Sequence, residues 1–209
     1  FVHGFMTLNG KKMSKSKGNF LLIDDYLNLL NPDYMRYFLA TKLSNGIDDL
    51  DLDLLDFQKK VNTDLVGKFV NIASRSQGFL KEFNNMLSND LDEDLIDEFS
   101  NKKNEIFNHY LDRNYSKALK EIMTLADKAN QYIDSNKPWI LNKESYNKEK
   151  VRKIASTAIN LFKILNLYLE PVIPETSEKI KKYLKCNDKV DNVSFYLKNH
   201  EIDSFNPLI

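Results

Sequence analysis

Apolar residues follow a helical repeat through most of the chain. From Asp53 onward they recur at about 100° per residue, the spacing that places side chains on one face of an α-helix. The first stripe predicts a single helix of about 30 residues with Asp53 as its N-cap. Its members are Leu54, Phe57, Val61, Leu65, Ile72, Phe79 and Phe83. The same repeat predicts four further helices, at residues 91–110, 115–133, 148–169 and 175–184.

Shorter patterns mark the first 52 residues. Residues 1–8 and 50–52 resemble short strands, and Asn9-Gly10 is a hairpin-turn dipeptide because both residues tolerate a positive φ. Asn31-Pro32 indicates a helix start, with asparagine as N-cap and proline at the first helical position. Helices are expected at 23–30 and 33–43. The patterns together predict a mainly α protein, in which an antiparallel helix bundle follows a small α+β element.

Composition limits the class of protein. The 209 residues are 42% hydrophobic and 29% charged, which is ordinary for a soluble globular protein. No apolar run approaches the roughly 18 residues that span a membrane, so no membrane partner is expected. The single cysteine, Cys186, leaves no internal disulfide and no cluster for structural zinc. We therefore expect no metal and a reducing, cytoplasmic location.

Charge is balanced overall but segregated along the chain. Lysine and arginine number 30, as do aspartate and glutamate. Basic residues concentrate in 11–17 and 137–153, whereas acidic residues concentrate in 48–56 and 90–98. A neutral protein with this distribution can still present a basic face to phosphate groups.

The most informative motif is Lys12-Met13-Ser14-Lys15-Ser16. It lies in a run with four lysines, two serines and no acidic residue between Gly10 and Gly18. Ammonium and hydroxyl donors suit a polyphosphate, and the flanking glycines let such a loop close over an anion. The same letters are also compatible with a solvated basic loop or a nuclear-localisation patch.

Two further groups of residues lie in the predicted bundle. Asn71 and Arg75 are one turn apart on the long helix and flank its apolar stripe, an arrangement that suits the edge of an unpaired base. Such pairs also bond to neighbouring carbonyls. Pro138 interrupts the helical pattern before Trp139, the only tryptophan. Its ring is suited to stack on an extruded base, or to pack in the core.

The lysine loop resembles the KMSKS signature of class I aminoacyl-tRNA synthetases. Residues 64–75 resemble the Asn-x-x-x-Arg helix of the methionyl-tRNA synthetases, and Asn136-Lys137-Pro138-Trp139 resembles their proline–tryptophan element. Further matches are Phe1-Val2-His3-Gly4, Met35-Arg36-Tyr37-Phe38 and Ile47-Asp48-Asp49. The resemblance covers essentially the whole chain in the right order.

This resemblance implies a role in tRNA recognition. Asn71 and Arg75 would hydrogen-bond bases of the CAU anticodon, and Trp139 would stack on the first of them, with Pro138 fixing its approach. The loop, residues 12–16, would cover ATP, bound with Mg²⁺, in the full-length ligase. Its catalytic lysines, Lys12 and Lys15, would meet the charge that develops on the α-phosphate.

The resemblance also implies a division of the chain. Residues 1–20 would end the catalytic domain, 21–52 would form the stem-contact fold, and 53–209 the helical anticodon-binding domain. The HIGH signature, the methionine pocket and any zinc-binding insertion would lie upstream, and the start at Phe1 without methionine agrees with that. We therefore expect the chain alone to be inactive and without cofactor. Its partners would be the anticodon stem-loop of tRNA(Met) and its own catalytic domain.

Two alternatives remain open. Cysteinyl-tRNA synthetases continue the signature with a Gly-Asn-Phe like Gly18-Asn19-Phe20, and valyl and leucyl enzymes also place a helical bundle after it. The pair Asn71 and Arg75, together with Pro138-Trp139, favours the methionyl enzymes. The other alternative is a non-enzymatic helical RNA-binding module, in which the lysine loop is an electrostatic anchor.

Overall fold

A small sheet stands at the start of the structure, a computed structural model that describes residues 4–14, 16 and 18–204. Strand β1 (Met6–Leu8) pairs antiparallel with β2 (Lys11–Lys12) and parallel with β3 (Leu50–Leu52). The predicted turn joins the first two strands, with φ of 49° at Asn9 and 72° at Gly10. The first three residues of the predicted strand lie outside the described residues. The division at residues 20 and 52 stays a prediction.

Two helices separate the hairpin from β3. The first, α1 (Ile23–Leu27), is shorter than predicted. The proline at position 32 disfavours the α region for Asn31, whose backbone is extended. The helix therefore cannot continue to Asn31, and it ends at Leu27. The second, α2 (Pro32–Lys42), begins as predicted, and the Asn31 side chain accepts a hydrogen bond of 2.8 Å from the Asp33 N–H.

Residues 54–83 form one continuous helix, called the long helix below. It begins at the predicted cap, where the Asp53 side chain accepts hydrogen bonds from the N–H groups of Leu55 and Asp56. Its successive parts are α3 (Leu54–Lys60), a π-helical stretch (Val61–Val70), α4 (Asn71–Gln77) and a 3₁₀ stretch (Gly78–Phe83). The wider turns in the middle were not predicted, because an apolar stripe does not distinguish them from α-helical turns.

The helix predicted at residues 91–110 is wrong as a single element. Two helices occupy it, α5 (Glu93–Ser100) and α6 (Lys103–Leu111). The Tyr168 hydroxyl lies 2.8 Å from the Phe99 carbonyl and 3.2 Å from that of Ser100. It donates to carbonyls that would otherwise accept from N–H groups in the next turn of a continuous helix. Asparagine at position 101, a weak helix former, follows the break.

Three of the remaining helices agree with the predicted periodicity: α7 (Tyr115–Asn136), α9 (Lys148–Leu169) and α10 (Pro174–Leu184). A short helix that was not predicted, α8 (Pro138–Leu141), follows the break after α7. The predicted inner face of α7 is buried, at Ala118, Ile122, Leu125, Ala129 and Ile133. Helix α9 is buried on every side over residues 154–169 and forms the centre of the bundle. The mainly α architecture is confirmed. Within the described ranges, no helix has the length and apolarity to cross a membrane.

Helix α2 is hydrogen-bonded to the turn between α9 and α10. Arg36 donates from Nε to the Val172 carbonyl at 2.9 Å and from Nη2 to the Pro171 carbonyl at 3.0 Å. Asp33 is fully buried and accepts a hydrogen bond of 2.7 Å from the N–H of Thr176, in the first turn of α10. A carboxylate is favourable there because the helix N-terminus carries partial positive charge. These contacts fix the α+β element to the bundle.

We expect Asp33→Ala to lower the free energy of unfolding by about 1–3 kcal/mol, because the Thr176 N–H then loses its buried acceptor. Urea unfolding followed by circular dichroism measures this. The matched control is Asp112→Ala, which removes an exposed carboxylate at the end of α6 and should change little. Equal stability of the two variants would contradict the role given to Asp33.

Candidate functional site: a polar seam between two helices

The long helix and α7 meet along a row of polar side chains, called the polar seam below. Three side-chain pairs form it: Lys68–Asp127, Asn71–Asn130 and Arg75–Asp134. In each pair the partner lies 59 residues further along the chain. The two helices therefore run parallel, which is possible because α5 and α6 carry the chain back between them. The seam brings Asn71 and Arg75 to one surface.

Trp139 lies at the end of this seam. Lys137 ends α7 in the left-handed region, with φ of 46°, and Pro138 opens α8, as the predicted interruption required. The Arg75 guanidinium carbon lies 5.5 Å from the centre of the Trp139 ring, within cation–π range. Pro138 is buried, whereas Trp139 is 42% exposed. The indole therefore keeps surface on which a further ring can stack.

The amide of Asn71 is held in one orientation. Asn130 uses both N–H groups of its Nδ2, which lies 2.9 Å from the carbonyls of Lys68 and Ala126. Its Oδ1 is therefore the acceptor for Asn71 Nδ2, at 3.2 Å. This leaves Asn71 with its own Oδ1 and one N–H for a ligand. An acceptor and a donor side by side match the edge of a nucleobase.

Arg75 is held from two sides. Asp134 accepts a hydrogen bond from its Nη2, and the Trp139 ring lies against the guanidinium. The Arg75 side chain is 27% exposed and that of Asp134 59%, so solvent screens the ion pair and it adds little stability. Its consequence is geometric. The guanidinium is kept in one place, and its remaining N–H groups stay available to an acceptor.

The described residues of the lysine motif begin at Lys12, the last residue of β2, and continue beyond the hairpin. The Ser14 N–H donates to the Asn19 carbonyl at 2.9 Å, and Asn19 Nδ2 donates to the Lys12 carbonyl at 3.3 Å. The hydroxyls of Ser14 and Ser16 lie 3.0 Å apart. Met13 is half-buried and Lys12 is exposed. Lys15 lies outside the described residues. The described part keeps hydroxyl and ammonium donors at the surface.

The base of this hairpin is fastened to the long helix. Asp51 accepts hydrogen bonds from the Thr7 hydroxyl at 2.5 Å and the Gly10 N–H at 2.8 Å. These bonds favour the charged carboxylate, the one from Thr7 most, and so hold the pKa of Asp51 below its usual value. Asn9 Oδ1 accepts a hydrogen bond of 3.1 Å from the N–H of Leu54, the first residue of the long helix. The hairpin that carries the loop is therefore bonded to the start of the helix that carries Asn71 and Arg75.

Sequence reasoning missed Asn130 and Asp134. Both lie on α7, four residues apart, and this is also the spacing of Asn71 and Arg75. This repeated spacing was the available signal. It did not reveal which residues pair, because the pairing depends on how two distant helices align.

Two family models match the chain. The model described as tRNA synthetases class I (M) matches residues 1–77. The model described as the anticodon binding domain of methionyl tRNA ligase matches residues 85–199, more than half of the chain. The chain belongs to the methionyl-tRNA ligase family. This separates it from the cysteinyl, valyl and leucyl enzymes that the loop alone left open.

Known members of the methionyl-tRNA ligase family resemble the chain throughout. It is 47% identical over 212 aligned positions to the methionine–tRNA ligase of Vesicomyosocius okutanii and 46% identical to that of Psychrobacter arcticus. All of this chain is covered, but only 39% and 30% of those proteins. The structure resembles Mycobacterium tuberculosis methionyl-tRNA synthetase in complex with methionyl-adenylate, with a TM-score of 0.88 at 25% identity over 99% of this chain and 43% of that one.

Proposed function

We propose that this chain reads the CAU anticodon of tRNA(Met), as the C-terminal part of a methionine–tRNA ligase. The observation that carries the proposal is the placement of Asn71 and Arg75 in neighbouring pairs of the polar seam, with the Trp139 ring against Arg75. Family membership supports it, since more than half of the chain matches the anticodon-binding domain of that family. A module that bound RNA by charge alone would need no such arrangement of amide, guanidinium and indole.

Each residue has a distinct part in this reading. Asn71 offers an acceptor and a donor to one base edge, in the orientation that Asn130 fixes. Arg75 offers the guanidinium donors that Asp134 does not use, and Trp139 supplies the stacking surface. Pro138 has a fixed φ and opens α8 immediately before Trp139, and so sets the approach of the indole. Reading of this kind requires the bases to be unstacked, as in an anticodon loop.

In the full-length ligase, the lysine loop would contact ATP during activation of methionine, which releases diphosphate. AMP would leave in the later step, when methionine is transferred to tRNA. ATP, with Mg²⁺, would supply the adenylyl group that activates the carboxylate, with diphosphate as the leaving group. Lys12 and Lys15 would stabilise the negative charge that develops on the α-phosphate, and Ser14 and Ser16 would donate hydrogen bonds to phosphate oxygens. The exposed donors of the described loop fit a polyphosphate. The catalytic domain of such a ligase would be the second partner, and the protein would act in the cytoplasm.

The direct test of anticodon reading is discrimination between triplets. We expect the isolated chain to bind a CAU anticodon stem-loop at least about tenfold more tightly than stem-loops with one base of the triplet changed, because a wrong base leaves desolvated polar groups unpaired. Fluorescence anisotropy with labelled RNA measures this. Equal affinity for every triplet would favour a non-specific RNA-binding module.

The isolated chain should also show no pyrophosphate exchange with methionine and ATP.

Trp139→Ala should weaken binding of the CAU stem-loop by about 1–3 kcal/mol, the usual effect of losing one stacked base. Trp139→Phe should retain most of the affinity because it keeps an aromatic face. Phe195→Ala removes another exposed ring, 63% exposed, and should leave binding unchanged. Unaltered affinity in Trp139→Ala would mean that the indole only packs against Arg75.

Lys15→Ala in the full-length ligase should slow adenylate formation by about 10²-fold, with little change in methionine affinity, because the charge that it meets exists only in the transition state. Lys17→Ala, a lysine of the same loop outside the pentapeptide, is the matched control. Rapid-quench measurement of adenylate and equilibrium binding of methionine separate the two effects. Equal losses in both would argue for a ground-state role.

A further inference from the structure

A basic groove lies at the other end of the polar seam from Trp139. It runs between α2, the long helix and α7 and has a volume of about 610 Å³. The charged residues that line it are Lys42, Lys60, Lys68, Lys117, Lys120, Asp56, Asp64 and Asp127. Lys68 and Asp127 belong to the seam as well, so the groove and the base-reading residues form one continuous surface. None of these lysines was singled out from the sequence.

A buried hydrogen bond lies at the floor of the groove. Tyr37 is fully buried, and its hydroxyl donates to Asp64 Oδ2 at 2.8 Å. Burial and the neighbouring carboxylate raise the pKa of Tyr37, so the hydroxyl remains protonated and donates. Lys60 Nζ lies 2.8 Å from the same carboxylate oxygen. The charge of Asp64 is therefore satisfied inside the protein and does not repel an anion in the groove as a free carboxylate would.

The groove carries an excess of positive charge. Three of its lysines are matched by its three aspartates, in the pairs Lys42–Asp56, Lys60–Asp64 and Lys68–Asp127. Lys117 and Lys120 remain, both exposed and one turn apart on α7. In the described part of the chain, neither forms an ion pair. The groove therefore has two unmatched cations directed at one open space.

The position of these two cations relates them to the base-reading residues. From Lys120 to Asn130 is ten residues of helix, about 15 Å, and to Asp134 about 21 Å. A few nucleotides of RNA cover such a distance. Lysines are mobile point charges that position a phosphate backbone without reading its sequence. The hydroxyls that line the groove all bond to other groups of the protein, which leaves the lysines as its donors for an anion; they belong to Tyr37, Thr41, Ser116 and Thr124.

We propose that Lys117 and Lys120 bind the sugar–phosphate backbone of the tRNA strand next to the anticodon, in the basic groove. This rests on the proposed function and extends it. Bases are read by Asn71, Arg75 and Trp139, while the groove holds the adjoining backbone and so sets the register of the triplet on the seam. The groove contributes affinity that is independent of the triplet and sensitive to salt.

The test compares Lys117→Ala/Lys120→Ala with the unaltered chain, in titrations with the CAU stem-loop and a one-base mismatch at several salt concentrations. The double variant should bind both RNAs about tenfold more weakly at low salt. The slope of log affinity against log salt is negative, and its magnitude should decrease by about 2. The ratio of the two affinities should not change, because backbone contacts carry no sequence information.

Two controls make the result specific. Lys179→Ala/Lys182→Ala removes two exposed lysines with the same spacing on α10, outside the groove, and should leave affinity and slope unchanged. Lys117→Arg/Lys120→Arg keeps the charge and should restore both. Unchanged affinity and slope in the alanine variant would overturn the proposal, as would an altered ratio between the two RNAs. If the unaltered chain bound all triplets equally, anticodon reading would be contradicted but backbone binding would not. The salt dependence of binding would still show whether Lys117 and Lys120 contact the RNA.

Discussion

The parallel alignment of the long helix with α7 is the constraint on which the candidate site depends. Three polar pairs share one offset of 59 residues, so a single register satisfies all of them. A slip of one residue would rotate one helix by about 100° relative to the other and break every pair together. The lengths of α5 and α6, and the break between them, therefore matter to the site although neither helix contributes a residue to it.

Apolar packing on the opposite faces holds that register. The ring of Phe69 lies 4.7 Å from that of Phe162, centre to centre, and joins the long helix to α9. The inner face of α7 packs on the same central helix. Because α9 is buried on every side, both helices turn their apolar stripes toward it and their flanks toward each other. The polar pairs specify the fine alignment, and the hydrophobic core supplies the stability.

Features that depend on neighbouring residues could be predicted from the sequence. The Asn9-Gly10 turn, the cap at Asp53 and the limits of α9 all follow from local chemistry, and the structure has them where they were expected. The π-helical stretch and the break after Ser100 could not be predicted, because the first needs hydrogen-bond geometry and the second a hydroxyl 68 residues away. The same holds for the candidate site. Asn71, Arg75 and Trp139 could be predicted from sequence motifs, but their partners on α7 could not.

The long helix also determines how the two ends of the molecule relate. Its first N–H is bonded to Asn9 in the hairpin that carries the lysine loop, and its last α-helical turn carries Arg75. Between them, the buried bond from Tyr37 to Asp64 holds the π-helical stretch against α2. One helix, fixed at its start and its middle, therefore connects the loop with the seam. A ligand on the seam influences the loop only to the extent that it favours one arrangement of this helix over another.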